Sequence, residues 1–208
     1  MDIVSFILLV PVLLVSLSFH EYMHGRVSYM LGDPTPKIMG RLTMNPLRHL
    51  DPIGSLVLII TQRIGWAKPV PINPRYYKNP RKGMMYVGLA GPAANLFLSL
   101  CFSLLLKYFY SSVNNMSSVV SLRYLEMAFS FLYLGVIINL SLAVFNLLPF
   151  PPLDGSKILR GLLPARYDKY FYKLEGPIGM IVIMILAFTG LLGKIIFPVV
   201  NFLKDFLI

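Results

Sequence analysis

The sequence predicts an all-α membrane protein that crosses or re-enters the bilayer about four to six times, with a short membrane-associated β segment near residues 65–74. Of the 208 residues, 56% are hydrophobic and only 13% are charged, whereas soluble domains carry about 25% charged residues. Several apolar stretches also reach the length that a spanning helix needs, which is about 20 residues. We therefore expect residues 1–208 to form a single integral membrane domain.

The apolar stretches predict the order of the helices. Spans are expected at residues 3–30, 84–106, 124–148 and 177–193. A shorter apolar stretch follows at residues 195–208, and spanning, re-entrant and surface positions all stay open for it. Residues 52–61, "PIGSLVLIIT", are too short to span and indicate a re-entrant or interfacial helix. The first stretch follows the acidic Asp2 with no Lys or Arg before it, which is not typical of a cleaved signal peptide. We expect it to remain as the first helix.

The basic residues indicate how the chain is oriented. The formal net charge is +10, but the Lys and Arg residues lie between apolar stretches and are not interleaved with aromatics on one face, so no nucleic-acid partner is expected. Fifteen of the 19 Lys and Arg residues lie within residues 25–83 and 149–176. Because cytoplasmic loops are enriched in Lys and Arg, we expect a multi-pass protein of the cell membrane with these two regions in the cytoplasm.

The pattern H-E-x-x-H, formed by His20, Glu21 and His24, lies towards the end of the first apolar stretch. Residues four apart share one face of a helix, so both imidazoles can reach one metal ion while Glu21 lies beside them. Ionisable side chains are costly inside a bilayer and generally mark a functional site there. We therefore predict metal ligands at His20 and His24, near the cytoplasmic end of the first helix.

A catalytic zinc usually takes three protein ligands and leaves a fourth position for water. His49 lies in a loop, and most acidic residues are in loops or near the termini. Asp154 follows the 124–148 stretch on the membrane side where His24 is expected, which favours it as the third ligand of one Zn²⁺ per chain. The alternative is a turn or helix-capping role, since Asp154 follows prolines and precedes Gly155.

Peptide hydrolysis at such a site needs a base and a donor to the developing oxyanion. Glu21 would take a proton from the zinc-activated water and return it to the leaving amine. Asn146 and Asn95 are the candidate oxyanion donors. An interhelical hydrogen bond is the alternative for amides in apolar helices; it is favoured for Asn139, and both roles stay open for Asn95.

Three motifs together resemble the site-2 protease family of intramembrane zinc metalloproteases, in its compact prokaryotic form without PDZ or CBS domains. They are "HEYMH" at 20–24, "GPAAN" at 91–95 and "NLLPFPPLDG" at 146–155. The resemblance implies that the two histidines and the aspartate of these motifs bind zinc and that the glutamate is the catalytic base. It also implies a place near the substrate or the oxyanion for Asn146. The expected partners are transmembrane protein substrates and the lipid bilayer.

Residues 65–74, "GWAKPVPINP", are similar to the membrane-associated strand segment of that family. Pro69 and Pro71 lack N–H groups on one edge of an extended chain, which leaves the N–H groups of Val70 and Ile72 on the other edge. We hypothesise that this open edge binds the unwound substrate as an added strand. An ordinary proline-rich interfacial turn is the alternative.

Two other functions compete with a protease. Histidines and carboxylates inside membranes also mark the ion paths of metal transporters, but transport does not require a glutamate next to the first ligand. A non-catalytic relative that binds membrane helices would not need a complete set of ligands and base. Without an accessory domain, regulation is expected from the core or from a membrane partner, and a homo-oligomer is compatible with the sequence.

Overall fold

Helices make up most of the structure. The computed structural model describes residues 3–61, 65–113 and 122–208. The α-helices in these ranges are α1 (Ile3–Met30), α2 (Thr35–Ile38), α3 (Pro52–Thr61), α4 (Pro80–Val113), α5 (Leu122–Leu147), α6 (Asp154–Leu162), α7 (Asp168–Leu174), α8 (Pro177–Phe188) and α9 (Leu191–Leu207). Short 3₁₀ helices lie at residues 46–48, 74–76 and 165–167.

Three of the described helices are long and apolar enough to cross a membrane: α1 from Phe6 onwards, α4 and α5. A fourth candidate span exists only as a bent pair, in which residues 165–174 and α8 meet at 68°. The polytopic α-helical architecture is thus confirmed, with three or four candidate spans among the described residues where about four to six spanning or re-entrant helices were expected. The short apolar stretch 52–61 forms the ten-residue α3.

The span expected over residues 177–193 is interrupted. α8 has 12 residues and ends at Phe188, and Gly190 has a left-handed conformation with φ of 73° immediately before α9. Twelve helical residues rise only about 18 Å, well short of a hydrocarbon core of about 30 Å. The 195–208 stretch belongs to α9, which has 17 residues and buries Val200 against α5.

α4 lies at the centre of the bundle, in contact with α1, α5 and α6. It carries a buried run of small residues, namely Gly88, Ala90, Gly91 and Ala94. Small side chains let helix backbones approach closely within a membrane. Through these contacts α4 brings the last third of α1 and the first turn of α6 together.

The short β segment expected near residues 65–74 does not form a strand ladder in the part of the chain that the structure describes. This stretch is extended, and Ala67 makes one isolated antiparallel bridge with Leu50. The physical reason is the proline content, because Pro69, Pro71 and Pro74 have no N–H group to donate to a neighbouring strand. We refer to residues 65–74 as the extended segment.

Polar groups at both ends hold the extended segment in place. At its start, the Lys68 N–H donates to the His49 carbonyl over 2.8 Å. Near its end, the Asn73 N–H donates over 2.8 Å to Oδ2 of Asp33, in the loop that follows α1. The buried Val70 lies between these two contacts. The segment therefore runs past the C-terminal part of α1, where the H-E-x-x-H pattern lies.

Candidate metal centre

α1 places His20 and His24 on one face, one turn apart. Both side chains are buried, with only 6% and 5% of their surface exposed. Their Nε2 atoms lie 3.0 Å from each other. The four-residue spacing predicted this convergence, because side chains at i and i+4 lie above one another on a helix.

Asp154 reaches the same point from the other side. It is the first residue of α6, which begins shortly after α5 ends, and it is 4% exposed. Its Oδ2 atom lies 3.2 Å from Nε2 of His20 and 3.0 Å from Nε2 of His24. The structure therefore brings together the three ligands that the sequence predicted, although Asp154 follows His24 by 130 residues in the chain.

This donor set fits a zinc ion. The three ligand atoms lie within 4.8 Å of one another, and atoms held about 2.0–2.1 Å from a tetrahedral zinc would be roughly 3.3 Å apart. Two imidazoles and one carboxylate form a ligand set found in catalytic zinc sites, which keep a fourth position open. Among the described residues, His20, His24 and Asp154 are the cluster of His, Cys, Asp or Glu side chains that could hold a metal ion.

Gly91 of α4 closes the site against these ligands. A Cβ atom at this position would fall on Nε2 of His24 and on the ring of His20. The glycine therefore leaves the space that a metal ion and its ligand nitrogens need. It belongs to the "GPAAN" motif at residues 91–95.

Each ligand has a further hydrogen-bond partner that fixes its orientation. Nδ1 of His20 lies 2.6 Å from Oδ1 of Asn95, and Nδ1 of His24 lies 2.6 Å from the Val87 carbonyl. Both partners accept a hydrogen bond, so each histidine carries its proton on Nδ1 and presents the Nε2 lone pair to a metal. Such outer contacts commonly orient zinc ligands.

Lys157 holds the other oxygen of the aspartate. Its Nζ atom donates to Oδ1 of Asp154 over 2.8 Å, which leaves Oδ2 to face the histidines. The positive charge of the Lys157 ammonium favours the ionised form of the Asp154 carboxyl. The side chain is therefore an ionised carboxylate at neutral pH, as a metal ligand must be.

Glu21 lies beside the metal ligands and is not one of the three. Its Oε2 atom accepts a hydrogen bond from the N–H of Val70 over 2.8 Å. The expectation that the N–H of Val70 lies on an open edge is corrected here, because this N–H is directed at α1 and already has a partner. The reason is that a carboxylate within a membrane domain needs a donor, and Pro69 and Pro71 on either side cannot supply one.

The remaining predicted site residues have different surroundings. Asn95 is fully buried and donates to Oδ1 of Asn139 over 2.9 Å and to the Ser16 carbonyl over 3.4 Å. Asn146, near the end of α5, donates to the Leu142 carbonyl one turn earlier. Ile72 is partly buried on the extended segment. The oxyanion role of Asn146 and the substrate role of Ile72 stay predictions. Asn95 makes interhelical hydrogen bonds, which is the alternative to a role as oxyanion donor.

Three contributors to the site were not identified from the sequence. Lys157 could have been found, since it is three residues from Asp154 on a helix. Gly91 carried a signal because it belongs to the "GPAAN" motif, but the motif alone does not show which atoms lie opposite the glycine. The Val87 carbonyl carried none, because every residue has a backbone carbonyl and only the fold selects one.

Comparison with known proteins gives consistent matches over most of the chain. A model of "Peptidase family M50" matches residues 8–190. "Putative zinc metalloprotease YwhC" of Bacillus subtilis is 39% identical over 197 residues, covering 95% of this chain and 87% of the relative. "Putative zinc metalloprotease Rip2" of Mycolicibacterium smegmatis is 30% identical over 210 residues, covering 97% of this chain and 74% of the relative.

A third relative is longer. "Zinc metalloprotease MJ0392" of Methanocaldococcus jannaschii is 26% identical over 182 residues, which cover 87% of this chain but 42% of the relative. No solved structure matches the chain.

Proposed function

Because the chain belongs to peptidase family M50, we propose that it is an intramembrane endopeptidase, which cleaves peptide bonds in or near the transmembrane segments of other membrane proteins. The family and the relatives make it a zinc metalloprotease and therefore a hydrolase. Membership in a peptidase family decides against the metal-transporter alternative. The position of the reaction, its substrates and the role of each residue are the proposal.

The observation that carries the proposal is the depth of the metal centre. His24 and His20 precede the end of the membrane-spanning α1 at Met30, so they lie roughly 9 and 15 Å inside the helix at 1.5 Å per residue. A site at this depth is reached by a segment that lies within the membrane. The substrate class that fits is therefore a transmembrane segment.

We assign the zinc to Nε2 of His20, Nε2 of His24 and Oδ2 of Asp154, with one ion per chain. When bound, zinc supplies a Lewis acid that polarises the scissile carbonyl and lowers the pKa of a water. The chain itself holds these three ligands through Asn95, Val87 and Lys157.

Glu21 is the proposed general base. It neighbours His20 in the chain and is not among the three converging ligands, so its carboxylate is available to take a proton from the attacking water and give it to the leaving amine nitrogen. Its contact with the Val70 N–H occupies Oε2. We propose that this contact orients the carboxylate, and that the other oxygen handles the proton.

A mostly apolar groove bounded by α1, by α3 with the start of the extended segment, and by α5 supports a transmembrane substrate. Its volume is about 260 Å³, and its lining includes Leu14, Leu17, Ile138 and Leu142. The next residue on the α1 stripe is Glu21, and four residues after Leu142 on α5 comes Asn146, because a helix repeats its face every three to four residues. The α1 and α5 walls of the groove thus lead to the proposed base and the proposed oxyanion donor.

Substrate contacts are proposed for the end of this groove. Asn146 would donate to the developing oxyanion with its second amide hydrogen. Ile72 would contact the unwound backbone of the substrate along the extended segment. The site would open towards the cytoplasm, since most Lys and Arg residues lie in the loops at this end of α1, α4 and α5.

The first experiment compares the purified wild type with Glu21→Gln for bound zinc and for cleavage of a panel of single-span membrane proteins. Glu21 is not a ligand, so both proteins should contain zinc, and only the wild type should cleave. Removing a general base typically costs a factor of about 10²–10⁴ in rate.

Glu126→Gln is the matched control, because Glu126 is exposed near the start of α5, outside the metal centre. It should cleave like the wild type. Zinc in all three proteins with equal cleavage by Glu21→Gln would remove Glu21 from the mechanism. A folded wild type without zinc would overturn the metal centre itself.

A further inference from the structure

We propose that Asn139 of α5 is a positioning residue for the zinc ligand His20, acting through Asn95 of α4. The proposal rests on the proposed function, because it concerns the ligand field of the same site. It assigns a role to a buried amide that does not touch the metal centre. The observation is a continuous line of hydrogen bonds from α5 through α4 to α1.

The line begins at a backbone carbonyl, which can only accept a hydrogen bond. Nδ2 of Asn139 donates to the Gly135 carbonyl over 2.8 Å. This contact fixes the orientation of the Asn139 amide, so its Oδ1 atom must face the other way. Oδ1 then accepts a hydrogen bond from Nδ2 of Asn95 over 2.9 Å.

The second amide is fixed in turn. Nδ2 of Asn95 faces Asn139 and also lies 3.4 Å from the Ser16 carbonyl, which again can only accept. Oδ1 of Asn95 is therefore the atom that faces Nδ1 of His20, at 2.6 Å. His20 must carry its proton on Nδ1, which leaves the Nε2 lone pair for the metal.

Burial makes this orientation matter. Asn95 and Asn139 are both 0% exposed, in helices long and apolar enough to span a membrane. Water is scarce there, so an unsatisfied polar group is costly. If the Asn95 amide turned over, its NH₂ group would face the Nδ1–H of His20, and His20 would need to move its proton to Nε2, the metal-binding atom.

Asn139 therefore selects the orientation of Asn95, and Asn95 selects the tautomer of His20. Asn139→Leu should keep the side-chain volume similar while removing the acceptor that holds Asn95. Loss of such an outer partner typically weakens metal binding by about 10–100-fold. We expect the Kd for zinc, measured by competition with a chromophoric chelator on the purified full chain, to rise by about tenfold or more.

A double-mutant cycle tests whether the effect passes through Asn95. Asn95→Ala removes the amide between Asn139 and His20, so Asn139 then has no partner through which to orient the imidazole. In this background, Asn139→Leu should change the Kd for zinc much less than it does in the wild type. An equal change in both backgrounds would overturn the proposal, because Asn139 would then act by another route.

Ser103→Ala is the matched control for packing. Ser103 is also buried on α4 and donates to the Leu207 carbonyl of α9, so the substitution removes an interhelical hydrogen bond that does not lead to the metal. It should leave the Kd for zinc unchanged. If Ser103→Ala weakens zinc as much as Asn139→Leu, the amide line contributes only packing and the proposal fails.

Asn139→Asp keeps an acceptor oxygen for Asn95, and its protonated carboxyl, the form that burial favours, can still donate to the Gly135 carbonyl. It provides a second variant in case Asn139→Leu does not fold. The Kd of Asn139→Asp for zinc should be lower than that of Asn139→Leu. If Asn139→Leu does not fold, the Kd of Asn139→Asp should lie within about threefold of the wild-type value. A Kd that is tenfold or more above the wild-type value would overturn the proposal. Cobalt in place of zinc gives an independent readout, since its visible absorption reports ligand geometry. These measurements do not use cleavage, so they stay valid even if the proposed substrate class or the proposed base is wrong. A wild-type protein that does not bind zinc would refute the proposed function as well.

Discussion

Gly91 determines whether two imidazoles and a metal ion have room beside α4. A methyl group there would fall on Nε2 of His24 and on the ring of His20, and neither ring can retreat freely because both Nδ1 atoms are hydrogen-bonded. We therefore predict that purified Gly91→Ala contains much less zinc than the wild type and loses cleavage. Metal analysis of protein that elutes as a single folded species checks this.

Gly193→Ala is the control for that experiment. Gly193 lies in α9, and a methyl group there would meet the ring of Phe197, which is largely exposed and can move. Zinc content should match the wild type. Wild-type zinc content in Gly91→Ala would mean that α4 does not define the space of the metal centre.

Asp33 shows how a single buried carboxylate connects two parts of the chain. It accepts hydrogen bonds from the Ser28 hydroxyl, the Thr35 N–H and the Asn73 N–H. Burial would raise the pKa of this carboxyl, but these donors outweigh burial and lower the pKa below its ordinary value. The carboxylate thus joins the end of α1 to the extended segment.

A lowered pKa makes this contribution to stability depend on pH. The folded state binds the Asp33 proton more weakly than the unfolded state, so the stabilisation is fully present above the unfolded pKa of about 3.9 and is lost as the pH falls through the folded value. We predict that the thermal midpoint of Asp33→Asn is lower than that of the wild type at pH 7. The two midpoints should converge below about pH 4, and a difference that is constant with pH would contradict the linkage.

The extended segment is the element that places a donor on the proposed base. It approaches α1 closely at Gly25, where a Cβ atom would lie 3.1 Å from Cγ1 of Val70. This contact lets the Val70 N–H reach Glu21. The segment therefore contributes to the site through its backbone, which a side-chain motif does not reveal.

Val70→Pro removes that N–H with little change to the chain direction, because Val70 already precedes a proline and is restricted to extended conformations. Glu21 then loses the donor that orients it, while the three metal ligands keep their contacts. We predict that cleavage falls much more than zinc content. Cleavage equal to that of the wild type would remove Val70 from the site, and parallel loss of zinc would indicate a general structural role.

Ile72→Pro separates the two roles of the extended segment. It removes the N–H of Ile72 and leaves the contact between Val70 and Glu21 in place. A loss of cleavage in this variant would support a backbone contact with substrate at Ile72. Wild-type cleavage would restrict the function of the segment to Glu21.

The sequence predicted those elements whose signal is local. α1, α4 and α5 follow from long apolar stretches, and the approach of His20 to His24 follows from helical spacing. Asp154 was predicted because it shares the expected membrane side of His24. These inferences need only periodicity and the length of a bilayer-spanning helix.

Contacts between distant positions were less accessible. The Val70 N–H meets Glu21 across 49 residues, and the extended segment forms no ladder because prolines remove its donors. The break at Gly190 divides a stretch that reads as one apolar span, because hydropathy does not report a left-handed residue. Such features depend on packing and backbone conformation, which composition averages out.

At the scale of the whole molecule, three spans meet at one end around the metal centre. The end of α1, the start of α4 and the end of α5 lie on the same side, since consecutive spans alternate in direction. The loops at that side carry most of the Lys and Arg residues. The proposed cytoplasmic position of the site therefore depends on the charge asymmetry of the whole chain.

Cysteine labelling in intact cells tests this orientation directly. Cys101 is the single cysteine, so Cys101→Ser provides a background without thiols, to which either Lys78→Cys or Ser112→Cys is added. Lys78 precedes α4 and is exposed, and Ser112 lies in the last turn of α4 and is partly exposed. The 34 residues of α4 extend about 51 Å, longer than the hydrocarbon core of about 30 Å, so its two ends project on opposite sides.

We predict that a membrane-impermeant maleimide labels Ser112→Cys in intact cells and labels Lys78→Cys only after permeabilisation. The reverse pattern would place the metal centre near the external face, so that substrates would have to be cleaved from the other side of the membrane.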